Sequence, residues 1–311
     1  MPSKMQRLSQ FLAFFSLLCL PGIAVSLEIN FQPVAPGVYA YIGDTGMRSF
    51  ENEGMNANSG FIITDAGVVV VDSGSTWKVA EKIHAAIRKV TSQPVKYVIN
   101  TGGQDHRWLG NGYFKAQGAE ILAASAAIDD MKARGALQLQ GLTRELKDRI
   151  TGTEIVLPTR TFTKKEVLHL GNREIHLLFF HGGHTPGDSV VWLPKESVLF
   201  SGDLIYVDRL LGVLPFSHTG NWIASFAEME ALQPKRIIPG HGAVTDLPKA
   251  QRESRDYLKQ VASHMRRAVD EMVDLQAAIN NLNQSSWAHL ANFELLKGGN
   301  ASRVYLEMES R

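Results

Sequence analysis

The sequence predicts an α/β protein in which two halves, each made of strands and helices, pack together with the helices outside. Segments typical of strands are followed by segments typical of helices, and this succession occurs twice along the 311 residues. The 44% apolar residues can form a large core, and 20% charged residues are usual for a globular protein. The formal net charge of +1 gives no basic field that would attract nucleic acid.

The N-terminus has the features of a secretory signal. Lys4 and Arg7 precede the apolar run "FLAFFSLLCLPGIA", and "AVS" at residues 24–26 offers small residues for cleavage. We therefore predict a signal peptide over residues 1–26, a periplasmic or secreted protein, and no stable membrane anchor after cleavage; an uncleaved anchor is the alternative. Cys19 is the single cysteine and lies in this signal, so the mature chain offers no disulfide and no thiolate ligand.

The first half after the signal begins with strands and continues with alternating helices and strands. "GVYAYIG" and "SGFIITDAGVVVVDSG" are rich in Val, Ile and Tyr and are bounded by Gly and Asp, which is typical of strands. Residues 76–90 have helical periodicity, and residues 95–100 form the next predicted strand. A short helix ending at Gly118, the strand "AEILAAS" and a helix over 125–150 complete this half.

The second half repeats the order. "EVLHL", "REIHLLFF", "DSVVWLP" and "SVLFSGD" are predicted strands, "NWIASFAEMEAL" is a helix, and "KRIIPGHG" is a strand with its loop. A single long helix is predicted from about 248 to 282. We divide the mature chain into a domain over 27–247 and a C-terminal helical extension over 248–311 that packs on it.

Three glycine-containing loops of the second half carry residues that can bind a metal. "HGGHTPGD", "LFSGDLIY" and "IIPGHG" each follow or end a predicted strand, and they offer His184, Asp203 and His241. Strand ends bring side chains into a common crevice. Imidazole and carboxylate are the ligands that remain for Zn²⁺ when no thiolate exists, and they also suit iron or manganese.

"VVVVDSG", "NT…LGN", "GGHTPGDSVVWLP", "LFSGDLIY" and "IIPGHG", in this order over about 35–245, resemble the metallo-β-lactamase superfamily. The resemblance implies a four-layer αββα sandwich with a metal centre between the two sheets. "DLIYVDRLLGVLPFSHTGNWIASFAEMEAL", the long helix and "NASRVYLEME" are similar to the periplasmic quinoprotein relay system zinc metallohydrolases. That likeness implies a link to quinoprotein or sulfur-oxidation systems.

The resemblance also implies a role for several residues. His184 corresponds to the third histidine of the first metal site, Asp203 to a carboxylate that can bridge two metals, and His241 to the last ligand of the second site. Asp72, in "VVVVDSG", corresponds to the acid that braces the metal-binding turn.

The turn "NTGGQDHRWLGN" departs from the superfamily pattern, which reads Asn-Thr-His-x-His-x-Asp-His-x-x-Gly-Asn. With both flanks aligned, the histidines become Gly102 and Gln104, the aspartate becomes His106, and the last histidine becomes Arg107. Alignment on the Asp-His pair instead shifts the Gly-Asn flank by one residue. The two leading histidines are absent in both alignments.

This departure affects the two metal sites unequally. The first would keep His184 with a weak amide ligand from Gln104, whereas the second would have His106, Asp203 and His241 with a position open for water. Such a site lowers the pKa of water towards about 7. Asp105 could brace or deprotonate that water or be a fifth ligand.

We expect one zinc ion, with a second ion left open. We expect Arg107 to repel a second metal or to hold an anionic substrate group, and a surface or structural salt bridge is the alternative. The leading hypothesis is a periplasmic metal-dependent hydrolase of an unknown small molecule. The alternative is a non-catalytic accessory or binding protein with a degenerate site, and a β-lactamase ranks third because the usual dizinc ligands are incomplete.

Overall fold

The computed structural model describes residues 27–310. The predicted signal peptide, including Cys19, lies outside them. The described chain forms two β-sheets of seven and five strands, in the orders β1-β2-β3-β4-β5-β6-β7 and β12-β11-β10-β9-β8. The strands are β1 Gln32–Ala35, β2 Val38–Tyr41, β3 Ser59–Thr64, β4 Gly67–Val71, β5 Val95–Asn100, β6 Glu120–Ala124, β7 Arg160–Phe162, β8 Lys165–Leu170, β9 Arg173–Leu178, β10 Val190–Leu193, β11 Val198–Tyr206 and β12 Arg236–His241.

Helices connect the strands and follow the second sheet. They are α1 Trp77–Val90, α2 Asp105–Trp108, α3 Asn111–Ala116, α4 Ser125–Leu146, α5 Thr219–Ala231, α6 Leu247–Ala250, α7 Asp256–Asp270, α8 Leu275–Asn281 and α9 Phe293–Glu309. Short 3₁₀ turns occupy Lys147–Ile150 and Ser285–Trp287, and one π-helical turn occupies Gln251–Arg255. None of the helices formed by residues 27–310 combines the length and the apolar character needed to cross a bilayer.

The two sheets pack face to face, and alternate residues of each strand explain why. In β4 the side chains of Val69 and Val71 join the core between the sheets, while Val68 and Val70 join the core under α1. Successive side chains of a strand point to opposite faces, so an unbroken valine run marks a strand covered on both sides. The second sheet contributes Ile175, Leu177, Leu193, Phe200 and Ile238 to the core between the sheets.

Helices cover the outer face of each sheet. Thr76 caps α1 by accepting a hydrogen bond from the Val79 N–H, and α1 buries residues spaced three, four and seven apart, namely Val79, Ala80, Ile83, Ala86 and Ile87. On the other side, α5, α7 and α9 share one core with β10 and β11. The predicted four-layer αββα sandwich is therefore confirmed.

The prediction of a single helix from about 248 to 282 is wrong. The helix α7 ends at Asp270, and Met272 adopts a positive φ of 55° while the Val273 N–H bonds back to the Ala268 carbonyl. This arrangement satisfies the last carbonyls of a helix and ends it. Asp274 then caps α8 by accepting hydrogen bonds from two backbone N–H groups.

The residues 248–310 lie against the outer face of the five-stranded sheet. Tyr257 and Val261 of α7, together with Val304 of α9, are buried in the same core as Leu199 of β11 and Trp222 of α5. This segment therefore shares its core with the sandwich.

Candidate metal centre

The turn between β5 and α3 is held in shape by its flanking residues. Asn100 and Asn111 hydrogen-bond to each other through their side chains, at 2.9 and 3.0 Å, and the Asn100 amide also donates to the Arg107 carbonyl. Asp72 accepts hydrogen bonds from the backbone N–H and the hydroxyl of Thr101 at 2.7 and 2.8 Å. The Asn-Thr and Gly-Asn flanks thus hold the turn in shape. These side-chain contacts do not depend on which side chains lie between the flanks.

His106, Asp203 and His241 come together next to this turn. All three are buried, and one potential ligand atom from each lies within 4.8 Å of the others. The His106 Nε2 lies 3.1 Å from Asp203 Oδ2, and the His241 Nε2 lies 3.2 Å from Asp203 Oδ1. Among residues 27–310 this is the group of His, Asp or Glu side chains with the spacing of a metal site.

The hydrogen bonding of His241 shows that this group fits a cation. The His241 Nδ1 lies 2.9 Å from the Asn56 carbonyl, which can only accept, and 3.4 Å from the Arg209 Nη1, which can only donate. The shorter contact places the proton on Nδ1. Burial lowers the pKa of His241 well below its usual value, and a neutral ring therefore turns the Nε2 lone pair towards Asp203. Two acceptors that face each other in a buried place are compatible when a cation binds both.

The ring of His106 also has a nitrogen that is not hydrogen-bonded. Its Nδ1 is buried without a hydrogen-bond partner among the described residues, and the nearest carboxylate oxygen, Asp105 Oδ1, is 3.4 Å away. Two imidazoles and one carboxylate match the composition of a three-ligand zinc site. The donor set and the lone-pair direction at His241 together fit a single divalent metal.

Arg107 is buried below this group and pairs with two acids. Its Nη2 and Nε donate to the two oxygens of Asp203 at 2.6 and 3.1 Å, and its Nη1 donates to Asp72 at 2.9 Å. Burial raises the pKa of Asp203, but the Arg107 charge and the His106 interactions outweigh burial and hold it well below the usual range. Asp203 is therefore an ionised ligand.

This geometry contradicts the predicted contact of Arg107 with an anionic substrate group and matches the alternative, a structural salt bridge. Arg107 is 1% exposed and does not line the adjacent pocket. Its donors are used by Asp203, Asp72, Asn58 and Gly240, so a substrate does not reach them.

Asp105 is positioned beside His106 and does not line the pocket. Its Oδ1 accepts a hydrogen bond from the backbone N–H of His106 at 2.9 Å, and its Oδ2 forms an ion pair with Arg48. Burial raises its pKa, but the Arg48 charge and the His106 interactions outweigh burial and hold the pKa of Asp105 below its usual value. A carboxylate with such a low proton affinity is a weak general base, and its contacts hold the backbone at His106 and the side chain of Arg48.

His184 lines the same pocket but lies outside the group of His106, Asp203 and His241. Its Nδ1 donates to the Gly212 carbonyl at 2.8 Å, and its Nε2 lies 2.5 Å from the Gln104 side-chain oxygen and 3.4 Å from the Tyr206 hydroxyl. The structure thus pairs His184 with the residue that stands in place of a leading histidine.

The space beside Gly102 and Gly103 is already filled by acids. A Cβ at Gly102 would lie 2.6 Å from Asp188 Oδ1, and a Cβ at Gly103 would overlap the Asp130 carboxylate. A histidine at position 102 therefore requires the Asp188 carboxylate to move.

A pocket with a volume of about 160 Å³ opens above the histidines. Arg48 and Arg209 bring positive charge to its wall, and the aromatic ring of Tyr206 stacks on His241 with centroids 4.6 Å apart. The other lining residues are Met47, Asn56, Gln104, His106, His184, Gly212, Leu214 and Leu296.

Arg209 is a pocket residue that the sequence analysis did not single out. It is 5% exposed, and it takes part in none of the ion pairs formed by residues 27–310. Burial lowers its pKa, and the more distant charges of Asp203 and Asp44 oppose this effect. Its Nη1 donates to the Gly46 carbonyl at 3.1 Å, while its Nε has no partner. Its place three residues after the end of β11, close in sequence to Asp203, is the signal that could have identified it.

A pH titration of stability is expected to report on His184. Burial lowers the pKa of His184 to about 4, so between that pH and the unfolded value near 6.5 the unfolded chain binds more protons. Stability rises with pH in this window, and acidification through it costs about 3 kcal/mol. In metal-free protein, urea unfolding at pH 4.5 and 7 should show a smaller pH difference for His184→Asn than for wild type. The exposed His181→Asn variant should match wild type; equal differences in all three proteins would contradict this assignment.

The comparisons with known proteins agree with the fold. The family model of the metallo-β-lactamase superfamily matches residues 52–241. A type 2 metallo-β-lactamase of Elizabethkingia meningoseptica is 25% identical over 218 residues, covering 69% of this chain and 79% of the relative. The type 2 enzyme of Bacillus sp. (strain 170) is 28% identical over 208 residues, covering 65% of this chain and 73% of the relative.

Solved structures show the same fold at lower identity. The metallo-β-lactamase from Pontibacter korlensis superposes with a TM-score of 0.61 and 18% identity, covering 75% of this chain and 99% of that structure. DIM-1 metallo-β-lactamase superposes with a TM-score of 0.60 and 19% identity, covering 75% of this chain and 97% of its own. With the family match spanning more than half of its length, the chain belongs to the metallo-β-lactamase superfamily.

Proposed function

We propose that this protein is a hydrolase that uses one divalent metal, with zinc as the best match, and acts on a small anionic substrate. The convergence of His106 and His241 on the Asp203 carboxylate carries the proposal. A metal in this place would supply Lewis acidity and a nucleophile from water at neutral pH. The signal-like N-terminus and the runs similar to the quinoprotein relay group support a periplasmic or secreted protein linked to quinoprotein or sulfur-oxidation systems.

The chain's own residues would prepare the site for this metal. The Asn56 carbonyl fixes the tautomer of His241, Asp105 holds the backbone at His106, and Arg107 keeps Asp203 ionised. Outer contacts of this kind commonly change metal affinity by about 10–100-fold. The Tyr206 hydroxyl, whose pKa burial raises well above its usual value, stays protonated and can donate a hydrogen bond to an oxygen in the pocket.

The charge and the position of Arg209 favour an anionic substrate. It is a buried cation on the pocket wall, it has no acidic partner among residues 27–310, and its Nε–H lacks an acceptor. A buried charged donor without a partner costs free energy, which a substrate oxyanion would recover. A bound divalent metal would add further positive charge to the pocket, because the negative charge of Asp203 is already paired with Arg107.

An accessory or binding role remains the second candidate, and one observation favours it. Both oxygens of Asp203 already accept hydrogen bonds from Arg107, so the ligand has a charge partner without any metal. A hydrolase must bind the metal and turn over a substrate, whereas an accessory protein turns over no substrate. A β-lactamase activity would be supported by the names of the relatives alone.

Hydrolysis by the purified mature protein tests the proposal. We expect a panel of small carboxylate-bearing esters, thioesters and lactones to include substrates whose hydrolysis stops with a chelator and returns with zinc. A chromogenic cephalosporin in the same panel tests the β-lactamase alternative. Stoichiometric metal without turnover of any compound would favour the accessory role.

The variant Arg209→Met should weaken binding of the anionic substrate. Loss of a charge-assisted contact predicts a rise in KM of about 10–100-fold with a smaller change in kcat. The uncharged amide of the same substrate is the matched control, and its kinetics should be nearly equal in wild type and variant. An equal effect on both compounds would show that Arg209 serves structure and not anion binding.

A further inference from the structure

The C-terminal segment beyond the family match supplies part of the pocket wall. The match ends at residue 241, whereas Leu296 of α9 lines the pocket together with Gly212 and Leu214. Leu296 is half-buried, and the preceding Leu295 is 65% exposed and outside the pocket. The adjacent residues Leu295 and Leu296 therefore differ in their surroundings: the first faces solvent and the second faces the pocket.

The same segment fixes the loop that carries Arg209. The Leu210 N–H donates to the Ala291 carbonyl at 2.9 Å, and the Ala291 N–H donates to the Asp208 carbonyl at 3.0 Å. These paired backbone bonds join the loop after β11 to the chain just before α9, on either side of Arg209.

Further along α9, Asn300 fixes the second half of that loop. Its Oδ1 accepts the Val213 N–H at 2.8 Å and its Nδ2 donates to the Leu211 carbonyl at 2.7 Å. Asn300 is fully buried, and Arg303 adds a bond to the Val213 carbonyl at 3.0 Å. Buried amide bonds of this kind hold the loop in one conformation.

The opposite side of the pocket is tied to the same segment. The Asn292 amide donates to the Thr45 carbonyl at 2.7 Å, next to the loop that provides Met47 and Arg48. Both walls of the pocket mouth are therefore attached to residues 291–303.

We propose that the C-terminal segment 291–303 is the specificity element of the site, with Leu296 setting the length of the anionic substrate that fits. The proposal rests on the proposed function, because it takes Arg209 as the anchor of the anionic end. Leu214 and Leu296 are aliphatic residues in the lining of the same pocket, and they would contact the apolar tail of a ligand anchored at Arg209. Because Leu296 belongs to the lining of a pocket of about 160 Å³, shortening its side chain enlarges the space open to the tail.

Binding of straight-chain carboxylates from acetate to octanoate tests this directly, without any need for turnover. In zinc-loaded wild type we expect affinity to rise about fourfold per added methylene until the pocket is filled, and then to fall. In Leu296→Ala, which lacks the isopropyl group, the maximum should move to a longer carboxylate. Calorimetry measures each constant.

Leu295→Ala is the matched control, and its length preference should equal that of wild type. A maximum that stays at the same chain length in Leu296→Ala would overturn the role of Leu296 while leaving the proposed function intact. Absence of carboxylate binding in wild type would overturn the Arg209 anchor and the length selection with it. Zinc affinity, measured in parallel, should be the same in all three proteins.

Discussion

Replacement of Arg107 by methionine is expected to lower the free energy of unfolding by about 3–5 kcal/mol. Arg107 is 1% exposed and forms ion pairs with Asp203 and Asp72 at 2.6 and 2.9 Å. Methionine fills part of the same volume but leaves two buried carboxylates without their cation. Urea unfolding of metal-free protein at pH 7 measures the loss.

Two further variants separate charge from geometry. Arg107→Lys keeps the charge, but a single ammonium cannot reproduce a guanidinium fork that contacts both acids and two backbone carbonyls, so we expect little recovery. Arg160→Met removes a partly exposed arginine paired with Glu166 and should cost less than about 1 kcal/mol. A loss at Arg107 no larger than at Arg160 would contradict a buried ion-pair network.

Replacement of His241 by glutamine is expected to lower zinc affinity by about 100-fold or more. Changes to groups that merely orient a metal ligand cost about 10–100-fold, and this change removes the ligand itself. The Nε2 of His241 faces Asp203 and its Nδ1 donates to the Asn56 carbonyl, so Nε2 is the ligand atom that the variant loses. Competition with a chromophoric chelator measures the affinity.

His169→Gln is the control for this variant, because His169 is exposed on β8 and distant in sequence from all three ligands. Its zinc affinity should equal that of wild type. Circular dichroism of His241→Gln must match wild type, so that a lost metal is not a lost fold. A zinc affinity unchanged by His241→Gln would remove His241 from the site.

The fold was predictable because strand patterns and strand-end motifs are local. The four valines of β4 indicate a strand buried on both faces, and Asp203 and His241 belong to neighbouring parallel strands, so their meeting follows from topology. The break in the predicted long helix was missed because Met272 is not a usual left-handed residue. The aspartate that caps α8 two residues later was the available signal.

The site was predictable in part. His106 follows from the ungapped alignment of the turn, but the direction of Arg107 depends on Asp72 and Asp203, which are 35 and 96 residues away in sequence. Arg209 and Leu296 line the pocket only through contacts between the loop after β11 and α9. Such pairings carry no periodic pattern, and the sequence alone therefore does not place them.

The metal content of the mature protein tests the central claim most directly. After zinc loading and exhaustive dialysis, wild type and His184→Asn should each retain about one zinc per chain, whereas His241→Gln should retain almost none. Equal retention by wild type and His241→Gln, two ions per chain in wild type, or none, would contradict a single metal held by His106, Asp203 and His241.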